Sequence, residues 1–531
     1  MGLPLRRACA GSAHRIGRRL AAAACLLAAL LAPARPAAAR GLQDPPPATL
    51  LAQGAYIARA AGCEGCHSGP RGRDAGGRIL HTEFGAVSVP NITPDRQTGI
   101  GDWSAESFWR AVHDGIGRRG QPLYPVMNYP AFTLMSRRDV DALYAYLMAQ
   151  PPIHALRQPM RLRFPYEIRA SLWLWRALYF RPGSFRPDPH RSAELNRGAY
   201  LVEGPGHCGE CHTARNAFGA SVSSRPLGGG VVAGFLAPNI TSDPRWGIGA
   251  WSDDALVRFL RTGASGQAVV FGPMSEVVYG GLGRLRDDDL HAVAAFLRQT
   301  RPVPDQVRGV LRGDEARASV ARGQRLYGER CAACHLASGG GVPGLVAALA
   351  GNPVLRAADP RNPMRAMLGG LRGGHGWGDM PNMAGLLDDQ AVADITNFLR
   401  ARWGSDAPLN ASAAEAAAVR AGAPVGAGGS ETARRLGCPP TGASDIAGAL
   451  ASDADIDLLA APQPEDPQRG VRLLLARLHS RDPSLPRAEL ITRLAAAYCP
   501  VLAGRPDLSQ AQKLTLLRSF PGQALAAVAR E

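Results

Sequence analysis

The sequence predicts an all-α fold: three similar helical repeats followed by a small helical C-terminal extension. A C-x-x-C-H motif occurs three times, at residues 63–67, 208–212 and 331–335. Each copy follows a helix-like segment with a glycine in the same place, and each repeat closes with an aromatic–leucine pair, namely Tyr146-Leu147, Phe296-Leu297 and Phe398-Leu399. Because these offsets recur together, internal repetition explains them better than three unrelated amphipathic helices.

The motif determines the predicted chemistry. C-x-x-C-H is the attachment signature of c-type haem, because two thiols one helical turn apart each add to a vinyl group while the adjacent imidazole binds the iron. Three copies use six of the ten cysteines, which favours covalent haem over a zinc site or a disulfide. We therefore predict three haem c groups, attached through Cys63, Cys66, Cys208, Cys211, Cys331 and Cys334, with His67, His212 and His335 as proximal iron ligands.

The repeats place three domains at residues 48–150, 192–304 and 314–404. Their opening helices carry Gly54, Gly198 and Gly323 in equivalent positions. A glycine that faces the aromatic residue of the closing helix lets the two helices cross closely. This contact is typical of small cytochrome c domains, so we predict three of them in tandem.

Residues 1–39 have the features of a secretory signal peptide. An arginine-rich start is followed by the apolar stretch 20–31 and by an A-x-A cleavage site at 37–39. The apolar stretch is too short to span a bilayer, so we expect cleavage and export to the periplasm. Loss of the six signal arginines lowers the net charge from +16 to +10, a mild balance that does not call for a nucleic-acid partner.

The first two repeats share a second signature between their helices. Pro90-Asn91-Ile92-Thr93 is followed by Gly99-Ile100-Gly101 and Trp103-Ser104, and the second repeat has the same pattern between Pro238 and Ser252. The turn residues predict ordered loops, with Ser104 and Ser252 capping the next helix. Such loops either cover a haem edge, with the tryptophan over a propionate, or merely pack.

The predicted connector, residues 151–191, contains an aromatic segment at 160–186. Arginines are interspersed there with Phe, Tyr, Trp and Leu, although only 6% of the chain is aromatic. The segment fits a docking face for a partner subunit or a helix at a membrane surface. It equally fits a strap packed against its own haem domains.

The composition changes after the third repeat. Residues 405–430 are rich in Ala and Gly, which predicts a flexible linker. Residues 431–531 predict a compact helical domain with no evident catalytic chemistry. Cys438 and Cys499 lie in it outside haem register, and in an oxidising compartment they either form one disulfide or stay as two thiols.

The second axial ligand decides whether a haem is closed for electron transfer or open to gases and peroxide. Each repeat offers a methionine in a Pro/Gly-containing loop, 60, 62 and 45 positions after its motif histidine. We assign Met127, Met274 and Met380 as distal ligands, with Met383 as a rival to Met380, and expect Met135 to be core. Histidines that would give bis-histidine ligation do not repeat at equivalent positions; these are His81, His113, His291 and His375.

With these features, residues 48–404 resemble the triheme cytochrome c subunit of bacterial membrane-associated dehydrogenases. The resemblance rests on the three motifs, the doubled Pro-Asn-Ile-Thr loops, the aromatic segment and Met380-Pro381. It implies an electron-transfer subunit, without a catalytic site, for a partner quinoprotein, flavoprotein or molybdenum dehydrogenase of an alcohol, aldehyde or sugar acid. It also implies ubiquinone or a terminal oxidase as acceptor and peripheral association with the outer face of the inner membrane. The long C-terminal region departs from the family.

Two other functions are consistent with parts of the sequence. A haem with an open site, most simply beside Met274, would make the chain a peroxidase or a small-molecule reductase. A subunit of a haem–copper oxidase fits poorly, because after residue 40 there is no uninterrupted apolar run of about 18 residues.

Overall fold

The computed structural model describes residues 48–266, 268–343, 346–372 and 377–422, with separate residues between 471 and 520. Within them the chain is all-α with a few short strand pairs, as predicted. The predicted signal peptide, most of residues 431–531, His375, Cys438 and Cys499 lie outside the described residues. No helix in the described part is long and apolar enough to cross a membrane.

Each repeat is framed by its first and last helices. The first repeat contains α1 (Ala48–Ala60), α2 (Cys63–His67), α3 (Ala105–Trp109), α4 (Tyr129–Phe132) and α5 (Arg137–Met148). The connector contains α6 (Ser171–Tyr179). The second repeat contains α7 (Ala193–Glu203), α8 (Gly209–His212), α9 (Asp253–Thr262), α10 (Pro273–Gly280) and α11 (Asp287–Arg298). The third repeat contains α12 (Gly313–Arg330), α13 (Ala332–His335), α14 (Arg361–Gly369) and α15 (Asp389–Trp403).

Short antiparallel strands follow the first two C-x-x-C-H motifs. β1 (Ile79–Thr82) pairs with β2 (Gly85–Ser88), which also pairs with β3 (Arg161–Leu162) of the connector. In the second repeat β4 (Gly230–Val232) pairs with β5 (Phe235–Ala237). A last pair joins β6 (Ala264–Ser265) and β7 (Ala268–Val269). The first two hairpins lead directly into the Pro-Asn-Ile-Thr loops.

The opening and closing helices of every repeat cross at the predicted glycine. A Cβ atom added to Gly54 would lie 2.0 Å from the carbonyl oxygen of Ala142 and 2.6 Å from the Cβ of Tyr146. The same contact recurs in the other repeats through Gly198, Ala292 and Phe296, and through Gly323, Asp394 and Phe398. The predicted pairing of a glycine with an aromatic residue is confirmed three times.

One hydrophobic core runs through the first two repeats, whereas the third repeat has its own. Ile57 and Leu143 of the first repeat belong to the same cluster as Leu201 and Leu290 of the second. A separate cluster around Ile395 fills the third repeat. The first two predicted domains therefore share a core, a relation that their sequence boundaries do not reveal.

Two tyrosine–aspartate hydrogen bonds join the first two repeats in opposite directions. Tyr56 of α1 donates to Asp289 of α11, and Tyr200 of α7 donates to Asp139 of α5. Arg197 also pairs with Asp289, at 2.7 Å. Burial alone would raise the pKa of Asp289, but its bonds to Arg197 and Tyr56 hold that pKa down at about 2. Burial and the hydrogen bond to Asp289 raise the pKa of Tyr56 to about 12.

We expect Tyr56→Phe to lower the free energy of unfolding by about 1–2 kcal/mol, because a buried carboxylate loses a donor. The folded pKa of Asp289 lies below its ordinary 3.8, so its contribution is present above about pH 4 and lost as the pH falls toward 2. The variant should therefore lose less stability than the parent in that range. Denaturant unfolding between pH 2 and 7 measures this, with the exposed Tyr179→Phe as control. Equal stability of parent and variant would contradict the role of this bond.

The connector packs against the body with one face and exposes the other. Leu172 and Phe180 are buried, the Trp175 indole donates to the carbonyl of Phe218 at 2.9 Å, and Arg176 donates to the carbonyl of Asp114 at 2.5 Å. Several large apolar side chains of the same segment are exposed: Phe164, Ile168, Trp173, Leu174, Leu178 and Tyr179. The segment is thus a packed strap that also presents an apolar surface.

The structure differs from the predicted linker in residues 405–422. Helix α16 (Ala413–Ala421) begins there with a capping box between Ser412 and Glu415. It buries Ala416 in the third core, and Arg420 pairs with Asp389 of α15 at 2.7 Å. Alanine favours a helix wherever a cap and a packing surface are present. This part of the range extends the third repeat.

Candidate haem-binding sites

Each C-x-x-C-H motif forms one short helix directly after the opening helix of its repeat, namely α2, α8 and α13. Within the described residues, none of the six motif cysteines forms a disulfide. Burial raises the pKa of Cys63 and Cys208 to about 12 and that of Cys334 to about 11. Catalytic redox cysteines have lowered pKa values instead. The raised pKa values of these thiols do not fit a catalytic redox centre.

The motif histidines share one orienting hydrogen bond. Nδ1 of His67 lies 2.8 Å from the carbonyl oxygen of Pro90. The corresponding pairs are His212 with Pro238, at 2.6 Å, and His335 with Ala347, at 3.1 Å. A carbonyl only accepts, so Nδ1 carries the proton and Nε2 keeps the lone pair that a metal needs. In the described part of the chain, Nε2 of these three residues makes no hydrogen bond.

Electrostatics keep these imidazoles neutral. Burial lowers the pKa of His67, His212 and His335. The bond to the Pro90 carbonyl opposes this at His67, and the charge of Arg157 adds to it. A neutral imidazole is the form that ligates iron. Tautomer, burial and charge all suit the predicted proximal role.

The Pro-Asn-Ile-Thr loops hold the histidine acceptors in place. The Asn91 Oδ1 atom accepts from the backbone N–H and the hydroxyl of Thr93, at 2.8 and 2.7 Å, and Asn91 donates to the Ile153 carbonyl at 2.7 Å. The second repeat makes the same bonds with Asn239, Thr241 and Val303. Because Pro90 directly precedes Asn91, this network fixes the carbonyl that orients His67. The predicted order of these loops and the caps at Ser104 and Ser252 are confirmed.

The predicted distal methionines lie in three different local structures. Met127 ends the 3-10 helix Pro125–Met127, and Met274 is the second residue of α10 rather than part of a loop. Met380 is in a loop, where its backbone pairs with Leu371 in both directions at 2.9 Å. All three are partly buried against the cores, as is Met383. Their ligation, and the choice between Met380 and Met383, stay predictions.

Other candidate residues have structural explanations. His113 is buried, with Nε2 2.7 Å from the Gly183 carbonyl and Nδ1 2.7 Å from Asp114. His81 and His291 are exposed. Met135 is fully buried, as predicted.

The first motif lies beside the methionine helix of the second repeat. Arg78, which follows the first motif, pairs with Glu276 at 2.8 Å and also donates to the carbonyl of Gly65 inside the motif. Glu276 is two residues after Met274. No sequence pattern predicts this contact, because its partners are far apart in the chain. It brings two of the predicted haem sites together.

These motifs, histidine tautomers and helix crossings define a c-type cytochrome, and residues 320–403 match the family model of cytochrome c. The chain is 36% identical over 408 residues to the alcohol dehydrogenase (quinone) cytochrome c subunit of Gluconacetobacter polyoxogenes, covering 72% of this chain and 86% of the relative. It is 36% identical over 404 residues to the gluconate 2-dehydrogenase cytochrome c subunit of Pantoea cypripedii, covering 70% and 89%. It is 33% identical over 416 residues to the fructose dehydrogenase cytochrome subunit of Gluconobacter japonicus, covering 71% and 85%.

The chain therefore belongs to the family of cytochrome c subunits of alcohol, gluconate and fructose dehydrogenases. Its function is electron transfer within a dehydrogenase complex, and the catalytic site belongs to another subunit. This confirms the resemblance seen in the sequence and disfavours the alternative of an open-haem enzyme.

Proposed function

We propose that this chain is a periplasmic triheme subunit that relays electrons from a partner alcohol, aldehyde or sugar-acid dehydrogenase to ubiquinone or a terminal oxidase. The observation that carries the proposal is the threefold arrangement of a neutral histidine with a free Nε2 in a C-x-x-C-H helix, next to the two motif cysteines. Haem c bound there supplies reversible one-electron chemistry. The substrate of the partner loses two electrons and ubiquinone gains two electrons and two protons, so a one-electron carrier used twice balances the reaction.

We expect the intact mass of the exported protein to equal the chain from Arg40 onward plus three haem groups. Thioether-linked haem survives denaturation, so mass spectrometry counts it directly. Replacing Cys208 and Cys211 with alanine should leave two haems, because the other motifs are intact. A parent protein with a single added haem would contradict the triheme proposal, and a retained leader would contradict cleavage.

The exposed face of α6 supports peripheral membrane association. Trp173, Leu174 and Leu178 are 51%, 64% and 61% exposed. The segment also carries exposed arginines, Arg163 and Arg181 among them. Aromatic and apolar groups beside arginines suit the boundary of an anionic membrane.

We expect simultaneous serine substitution of Trp173, Leu174 and Leu178 to weaken binding to anionic liposomes by about tenfold or more, since each buried side chain is worth about 1.5–3 kcal/mol. Liposome co-sedimentation of the haem-loaded protein measures this. Leu156→Ser is the control, because Leu156 is 77% exposed but lies outside α6. Unchanged sedimentation of the triple variant would assign the face to another partner.

A further inference from the structure

A cavity of about 350 Å³ lies between the connector and the loop that leads to Met127. Its lining includes Tyr124, Arg157, Glu167 and Arg169. Tyr124 directly precedes the 3-10 helix that ends at Met127, and its hydroxyl donates to the Tyr166 carbonyl at 3.0 Å. One wall of the cavity thus belongs to the chain segment that carries the predicted distal ligand Met127.

The opposite wall of the cavity is tied to the proximal side. Arg157 donates twice to the Ser88 carbonyl, at 3.1 and 2.8 Å. Ser88 lies two residues before Pro90, the acceptor that orients His67. Arg169 is held on the distal wall, with its guanidinium 4.9 Å from the Tyr124 ring centre and a 2.8 Å bond to the Pro122 carbonyl. One arginine is therefore bonded to the backbone just before the loop that orients His67, and the other to the chain segment just before Met127.

The positive charges that line this cavity are only partly balanced by the protein. Within the described residues neither Arg157 nor Arg169 forms an ion pair. Both donate hydrogen bonds to backbone carbonyls instead. Glu167 is the one acid that lines the cavity. Burial and the charge of Arg169 lower the pKa of Arg157, so the two cations repel each other in the absence of an anion. A pair of guanidiniums at one edge fits carboxylates, which they bind through paired hydrogen bonds.

We propose that Arg157 and Arg169 form a carboxylate site that binds the propionates of the first haem and raises the reduction potential of that haem. This rests on the proposed function, because it requires haem at His67. The second repeat lacks an arginine at the position equivalent to Arg157. Ile153 and Val303 make equivalent bonds to Asn91 and Asn239, and by that register the counterpart of Arg157 is Val307.

The test is a spectroelectrochemical titration of the haem-loaded protein with Arg157→Gln, Arg169→Gln and both together. Loss of a cation beside the propionates stabilises the ferric form. We expect about a tenfold shift of the ferric/ferrous equilibrium per charge, which is 59 mV for one electron, in one of the three redox waves. Arg157→Lys keeps the positive charge, so the reduction potential of the first haem should stay close to that of the parent. Arg163→Gln is the control, since Arg163 is exposed and bonds only weakly to the Glu83 carbonyl at 3.4 Å.

Each outcome decides a different point. Three unchanged waves in a double variant with full haem content would overturn the site. A wild-type wave that moves on addition of citrate would show a cavity open to soluble carboxylates, and would also overturn the assignment to propionates. Fewer than three haems by mass in the parent would count against the proposed function, independently of the arginines.

Discussion

Replacing Gly323 with alanine is expected to destabilise the third repeat by more than about 4 kcal/mol, although alanine is the better helix former. The added Cβ would lie 2.0 Å from the Asp394 carbonyl oxygen and 2.7 Å from the Phe398 Cβ. Neither atom belongs to the flexible end of a side chain, so α12 and α15 must separate. Separation opens the core around Ile395 and Phe398. Thermal unfolding and the yield of haem-loaded protein would report the loss.

Gly328 provides the matched control on the same helix. A Cβ at Gly328 meets no atom within 4 Å, and the residue is exposed. Gly328→Ala should therefore stabilise the protein by about 0.5–1 kcal/mol through helix propensity alone. The two substitutions are chemically identical and have opposite expected signs. If both variants unfolded at similar temperatures, the close helix crossing would not be what holds the repeat together.

Contacts that recur within a repeat were predictable because they leave a repeated pattern. Gly54 and Tyr146 are far apart in the chain, but the same pair occurs in each repeat at similar offsets, and the structure confirms all three. The bond between Tyr56 and Asp289 joins two different repeats. Its counterpart between Tyr200 and Asp139 repeats the residue types, but the pattern alone does not show that each tyrosine bonds to the other repeat. The shared core of the first two repeats was missed for the same reason.

Amino-acid composition alone did not predict the helix that follows the third repeat. An Ala-rich stretch suits a flexible linker and a helix equally well, and residues 405–422 form helix α16. The local signal was Ser412 followed three residues later by Glu415, a capping box that marks a helix start. The segment has no pattern of large apolar residues that would predict its packing. Ala416 nevertheless lies in the third core, where a small side chain is sufficient for contact.

The motifs predicted the proximal ligands more firmly than the distal ones. In C-x-x-C-H the cysteines and histidine are adjacent, so one pattern specifies the whole set. Pro90, whose carbonyl orients His67, belongs to a second sequence signature. Only the structure shows that this signature positions the histidine. A distal methionine is a single residue at a variable distance. Met380 and Met383 are both partly buried against the third core, so packing does not choose between them.

Met380→Ala is expected to open the third haem site. A thioether closes the distal position and favours the ferrous state, and axial ligands set haem potentials over a wide range. Loss of the ligand should let about one third of the haem bind carbon monoxide and should lower one potential by roughly 100 mV or more. Carbon monoxide difference spectra and a redox titration measure both effects on one sample.

Met383→Ala separates ligation from packing. Its backbone N–H bonds to the Met367 carbonyl at 2.8 Å, and this bond survives the substitution. If Met380 is the ligand, Met383→Ala should lose some stability as a cavity forms but bind no carbon monoxide. Carbon monoxide binding by Met383→Ala alone would transfer the ligand to Met383. Binding by neither variant would mean that a different residue closes this haem. Binding by the unmodified protein would reveal an open haem, which the electron-transfer proposal does not allow.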